Sequence, residues 1–200
     1  MLSDAVVAIA MTLLVLPLVD LAPEADKAPL GTFLRTHGSD LFGFVLSFLV
    51  IAQFWAAHER AFTGLRQTTS AVRVLNMLWL LGIAFLPFPT AVVERQATNA
   101  SAFFYLATMF ALAVLTSMIS QLTVAQTGDA ASIDVRRRHL RLTWAATAVF
   151  GLCTVISAWN ADLGLWALLL ILVIRLWHRA GARPGGLRWL MGRARHGAEQ

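Results

Sequence analysis

Residues Ala100–Ala125 read ASAFFYLATMFALAVLTSMISQLTVA, an unbroken run without an Asp, Glu, Lys, Arg or His. A helix needs about 20 mostly apolar residues to cross the hydrocarbon core of a bilayer, and this run is long enough. Five further stretches have the same character: Ser3–Val19, Leu41–His58, Val72–Val93, Leu142–Trp159 and Asp162–Trp177. The composition agrees. Of 200 residues, 58% are hydrophobic and 14% charged, whereas soluble domains run at about 45–50% and about 25%. The chain therefore reads as an all-α integral membrane protein with six transmembrane helices. A soluble enzyme, a disulfide scaffold and a disordered tail are excluded at this step.

The charges that flank the spans give an orientation. The connection after the second span carries Arg60, Arg66 and Arg73, and that after the fourth carries Arg136, Arg137, Arg138 and Arg141. The C-terminal stretch adds Arg179, Arg183, Arg188, Arg193 and Arg195, making twelve on one side against Lys27, Arg35 and Arg95 on the other. Positive loops stay in the cytoplasm, so both termini are expected there, in a multi-pass protein of the cell membrane. An even number of spans follows. The net charge of +5 is thus a matter of topology and not of nucleic-acid binding, because the basic residues flank apolar spans.

The connections are expected to be simple. Asp20–Asp40, with Pro23, Pro29, Gly31 and Gly38, reads as an extracytoplasmic loop without a fold of its own, and Gln126–Asp134 as a small, polar, flexible one. Pro87 and Pro89 mark a kink or an exit on the third span, and Pro17 an end to the first helix.

Catalytic chemistry is scarce. There is no phosphate-binding glycine loop, no Ser-x-x-Lys and no Gly-x-Ser-x-Gly, and His58-Glu59-Arg60 continues into Ala61-Phe62 without the second histidine of a zinc motif. Cys153 stands alone, so neither a disulfide nor a cysteine metal set is expected. No enzyme, cofactor or fixed metal is expected.

Polar groups at membrane depth then carry the argument, because each is costly there and tends to face a partner, a cavity or a pore. Most are hydroxyls (Thr108, Thr116, Ser117 and Ser120 on the fourth span), which can bond back to their own helix. Asp4 and His58 differ: both fall at cytoplasmic helix ends, and their opposite partial charges allow them to pair. On the first helix Ile9, Leu13 and Leu16 recur at i, i+4 and i+7 on one face, with Thr12 beside them. Such a stripe suits a pore that closes by dewetting, and suits lipid or helix packing equally well.

The stretch Leu2-Ser-Asp-Ala-Val-Val-Ala-Ile-Ala-Met-Thr-Leu-Leu-Val-Leu16 resembles the first helix of the transmembrane protein 175 potassium-channel family, in its bacterial branch. Phe54-Trp55-Ala-Ala-His58 and Leu75-Asn76, followed by Phe85-Leu-Pro-Phe-Pro-Thr90, fit the same family in the same order. The likeness covers about the first ninety residues and the six-span plan. It implies a homotetramer in the lipid bilayer that conducts potassium passively, K+ being the permeating ion, with helix 1 of each subunit lining the pore. By the same resemblance Ile9, Leu13 and Leu16 form the pore constriction and Thr12 favours potassium. Ser3, Asp4, Trp55, His58 and Asn76 form a supporting network for the pore helix. Leu2 stands where the family has Phe, and the family's preceding Arg has no counterpart here. Either the true start lies upstream or Asp4 lacks that partner.

On this reading residues 1–178 are the six-helix transmembrane channel domain and 179–200 a basic cytoplasmic tail. Two other classes stand against the potassium-preferring channel: a proton-coupled small secondary transporter working through Asp4 and His58, and an accessory membrane subunit without transport. Coupling of flux to pH favours the first, and absence of flux the second.

Overall fold

Proline decides where two of the spans break. The computed structural model describes residues 2–25, 29–63, 69–96, 98–125 and 130–169, and every regular element among them is a helix. Helix α1 (Leu2–Leu13) ends in a turn at Leu14 and Val15, and α2 (Leu16–Asp20) restarts with Pro17 in its first turn. Pro17 has no N–H to offer the Leu13 carbonyl, so the ladder is interrupted there. The same device recurs on the third span. Helix α6 (Ser70–Phe85) passes through Leu86, still in helical geometry, into α7 (Pro87–Arg95), so the proline pair introduces a joint and not an exit.

The remaining elements are α3 (Ala22–Ala25), α4 (Leu30–Thr36), α5 (Gly38–Phe62), α8 (Asn99–Ala125) and α9 (Ala130–Trp159), with residues 161–169 again helical. Five helical segments among the described residues are long and apolar enough to cross a membrane: Leu2–Ala25, Gly38–Phe62, Ser70–Arg95, Asn99–Val124 and Leu140–Trp159. The sixth expected span, Asp162–Trp177, lies in helix over 161–169, and its remainder falls outside the described residues, as does the 179–200 tail.

Both connections depart from expectation. The segment between the first two spans is folded: it carries α3 and α4, and His37 at its end bonds Asp40 (3.1 Å) and Glu24 (3.4 Å) while Arg95 reaches Asp20 (3.3 Å). These polar contacts, one of them reaching α7, tie the segment to its neighbours. The expected flexible stretch 126–134 is also shorter than anticipated, because α9 begins at Ala130 and carries the arginine run 136–138 inside the helix.

Between helices in lipid there is little hydrophobic drive, so close backbone approach and interhelical hydrogen bonds do the packing. Helices α8 and α9 form the most extensive pair. Their seam is lined with small hydroxyl residues: Ser117 and Thr147 meet at 2.9 Å, and Thr147 also donates to the Ala113 carbonyl (3.0 Å). At the other end of this pair, Asn99 donates to the Trp159 carbonyl (3.2 Å) and accepts from the Ala161 amide (2.9 Å), capping the turn into the next helix. Gly164 then lies so near Ser157 and the Cys153 carbonyl that a Cβ there would be 2.6 Å from Ser157 Cβ.

Candidate functional site

The first helix is the least buried of the five candidate spans. Only 17% of its apolar window is buried within the chain, against 50% for the span of α8. Its burial is one-sided. Val7 (3% exposed), Ala10 (1%) and Leu14 (3%) pack into the common core, whereas Ile9 (59%), Leu13 (39%) and Leu16 (53%) remain open. Thr12 lies on the open face, and its hydroxyl donates to the Ile9 carbonyl (2.8 Å). That bond commits the hydroxyl proton to the helix and leaves the oxygen lone pairs for whatever lies outside. Leu16 stands past the Leu14–Val15 turn, as the first residue of α2, so the i+7 relation does not place it on the α1 face by simple helical geometry.

A polar cluster anchors the other face of α1. Trp55 Nε1 on α5 donates to Asp4 Oδ1 (3.0 Å), joining the start of α1 to the last turns of α5. One turn on, His58 is buried, and its Nε2 donates to Asn76 Oδ1 on α6 (2.7 Å). The imidazole also stacks on Trp79, with ring centroids 4.1 Å apart and planes 20° from parallel. Trp55 thus bonds Asp4 and Asn76 bonds His58, and α5 carries both Trp55 and His58. The structure brings together Asp4, Trp55, His58 and Asn76. Ser3 is half-buried at the start of α1 and makes no side-chain hydrogen bond to a described residue.

Two members of this region escaped the sequence reading. Trp79 is fully buried, and its Nε1 donates to Thr116 Oγ1 on α8 (3.0 Å). Trp79 is three residues after Asn76, so helical spacing puts both on one face of α6, and that signal was available. Thr116 was visible as one hydroxyl among several on the fourth span, with nothing in one dimension to single it out.

At the far end of the bundle Ser47 and the buried Tyr105 share a hydrogen bond (3.0 Å) across α5 and α8. They border a cavity that Glu94, Asp40 and Asp162 also line. Glu94 Oε1 is, among the described residues, the one buried side-chain oxygen or nitrogen without a hydrogen-bond partner. Among the described residues no group of three His, Cys, Asp or Glu is placed to hold a metal ion.

Comparison with known proteins points one way. The family described as endosomal/lysosomal potassium channel TMEM175 matches residues 1–87. A potassium channel of Streptomyces collinus is 35% identical over 119 residues, which is 56% of this chain and 56% of that one, so the chain spans about half the length of that relative. A potassium channel of Chamaesiphon minutus is 27% identical over 168 residues, covering 78% of this chain and 83% of the other. The crystal structure of a lysosomal potassium-selective channel TMEM175 homologue, also from Chamaesiphon minutus, superposes with a TM-score of 0.73 at 21% identity. That fold match covers 88% of this chain and 94% of that one. These relatives are ion channels and not enzymes. The first 87 residues thus match the TMEM175 family model, and the bundle shares the fold of a TMEM175 homologue.

Proposed function

We propose that the protein is a potassium-preferring cation channel of the cell membrane, a homotetramer of six-helix subunits with α1 of each copy lining a passive pore. The observation that carries this reading is the one-sided burial of α1. Thr12 sits on the face of α1 that is uncovered within its own chain, and a polar group there is costly against lipid. Four copies arranged about an axis cover that face and give the Thr12 oxygen water and ions as partners.

In such a pore Ile9, Leu13 and Leu16 form the apolar neck. Their branched side chains exclude water when the helices close in, and conduction resumes when the helices part and the neck wets. The Thr12 oxygens, with their protons held by the Ile9 carbonyls, replace part of the hydration shell of K+. Asp4 adds a negative field at the mouth on the side of the termini, which the distribution of arginines assigns to the cytoplasm. Trp55, His58 and Asn76, with Ser3 and Asp4, hold the pore helix at its angle. Residues 1–178 form this channel unit, and 179–200 a basic tail on the cytoplasmic side.

The test is electrical recording from the purified protein in planar bilayers, with potassium on one side and sodium on the other. Stepwise currents reversing toward the potassium potential are expected, and Thr12→Ala should move that reversal toward zero while leaving conduction. Silence from protein verified to be in the bilayer, or flux that saturates and couples to a pH gradient, overturns the reading. Native mass measurement of the solubilised protein checks the subunit number against a chain of 21.9 kDa.

A further inference from the structure

We infer that Thr116, on a helix with no role in lining the pore, is a positioning residue for it: through Trp79 it sets the His58 ring and thereby the seating of α1. This rests on the proposed pore reading and extends it from three helices to four.

The contacts run in series. The Thr116 hydroxyl donates to the Leu112 carbonyl (2.8 Å) and accepts from Trp79 Nε1 (3.0 Å). Its rotor is thus held from both sides: the proton is committed to its own helix, and a lone pair is aimed at the indole. Trp79 is fully buried, so its N–H has no water to turn to, and leaving it unmatched at this depth is unfavourable. Fixing that N–H fixes the rotation of the indole about its own side chain. The indole face is what His58 lies against, at 4.1 Å and 20°. The imidazole edge is held by Asn76 at 2.7 Å. His58 is therefore clamped by two α6 side chains one turn apart, and only one of the two, Trp79, is tied to α8. One turn before His58 on α5, Trp55 grips Asp4 at 3.0 Å. Thr116, Trp79, His58, Trp55 and Asp4 form a line from α8 to the start of α1. The other fourth-span hydroxyl of similar type, Thr108, donates to the Phe104 carbonyl (2.9 Å) inside its own helix and supplies a control.

The experiment compares Thr116→Val, Thr116→Ser and Thr108→Val in the full chain by two readouts. One is the ring-nitrogen NMR signal of His58 in 15N-histidine-labelled protein, assigned by its loss in His58→Gln. The other is single-channel recording in planar bilayers. Thr116→Val should shift the His58 signal and change open probability by about three- to tenfold, the range of one buried hydrogen bond, with unitary conductance and reversal potential unaltered. Thr116→Ser should restore both readouts, and Thr108→Val should move neither. If Thr116→Val does not assemble, Thr116→Cys replaces it, since its sulfur is a weak acceptor that loosens the Trp79 N–H contact without removing it and leaves the indole in place. An unmoved His58 signal overturns the inference at its first link. A moved signal with unchanged open probability overturns it at the last. If Ile9→Asn alters the currents but Thr116→Val does not, the pore reading stands and this inference falls. If Ile9→Asn alters nothing either, the pore reading falls, and the His58 signal alone decides whether Thr116 sets the ring.

Discussion

Replacing Asn76 by Leu removes the oxygen that His58 Nε2 meets at 2.7 Å while keeping roughly the size of the side chain and raising its helix-forming tendency. The cost follows from where the imidazole sits. His58 is buried, so its N–H cannot turn to solvent, and its face is held in place by the Trp79 indole. An interhelical hydrogen bond in a membrane protein contributes on average about 0.6 kcal/mol, with an upper range near 1.7, because the alternative states find partners as well. Orphaning a buried donor costs more than losing the bond, about 1–3 kcal/mol. For a chain of this length that range corresponds to a fall of about 2–12 °C in the unfolding midpoint. Thermal unfolding of the solubilised protein, followed by tryptophan emission, measures it. The informative variant is the pair His58→Phe with Asn76→Leu. Phenylalanine keeps the stack on Trp79, which is worth about 0.5–1.5 kcal/mol beyond its area, and removes the donor that Asn76→Leu orphans. The pair should therefore be more stable than the sum of the two single changes by about 1 kcal/mol or more. Additive behaviour, or an unchanged midpoint in Asn76→Leu, would refute the view that this bond holds α5 to α6.

Two glycine substitutions should separate by sign. At Gly164 a Cβ meets Ser157 Cβ at 2.6 Å, Ser157 Cα at 3.0 Å and the Cys153 carbonyl at 3.1 Å. Backbone cannot yield cheaply, so Gly164→Ala should lower the midpoint, with overpacking of about 1–3 kcal/mol exceeding the roughly 1 kcal/mol gained in helix propensity. At Gly43 the obstacle is Glu94 Oε1 at 2.6 Å, the end of a flexible side chain, so Gly43→Ala should be neutral or stabilising in the same melt; equal losses at both sites count against the packing described. Trp55→Phe keeps the ring but removes the donor to Asp4, and hydrogen exchange of the α1 amides should quicken while that of α8 stays as it was. Ile9→Asn should raise basal current in bilayers by wetting the neck, and an unaltered current removes Ile9 from the constriction.

How much of this was legible in one dimension differs from element to element. The spans were, because burial in a bilayer selects for length and mean apolarity, and both are sums along the chain. Ala100–Ala125 needed no partner to be read as a membrane helix, and the structure has α8 over Asn99–Ala125. Pro17 and Pro87 were legible for a related reason, since a missing N–H acts on its own helix wherever that helix sits. The family motifs of the first ninety residues were legible too, as ordered residue strings. The folded segment around α3 and α4 was not: its ion pairs join His37 to Asp40 nearby but also to Glu24, and Asp20 to Arg95 on a distant helix.

Partnership is the property that composition and spacing left open. Asp4, His58 and Asn76 were visible as costly polar groups, yet whether Asp4 meets His58 or Trp55 depends on the rotation and crossing of α1, α5 and α6, which no periodicity reports. Thr116 and Thr108 are equivalent in the sequence, two hydroxyls eight residues apart on one apolar helix. The bundle turns one of them toward the Trp79 indole and leaves the other bonded only to its own turn. Likewise the stripe of Ile9, Leu13 and Thr12 was apparent from spacing, but a helix apolar on all sides can bury any face. It took the packing of Val7, Ala10 and Leu14 into the core to leave that particular stripe uncovered. Apolarity is a property of residues one at a time and survives translation into three dimensions unchanged, whereas a hydrogen bond between helices requires two distant residues to arrive at one place with matched direction.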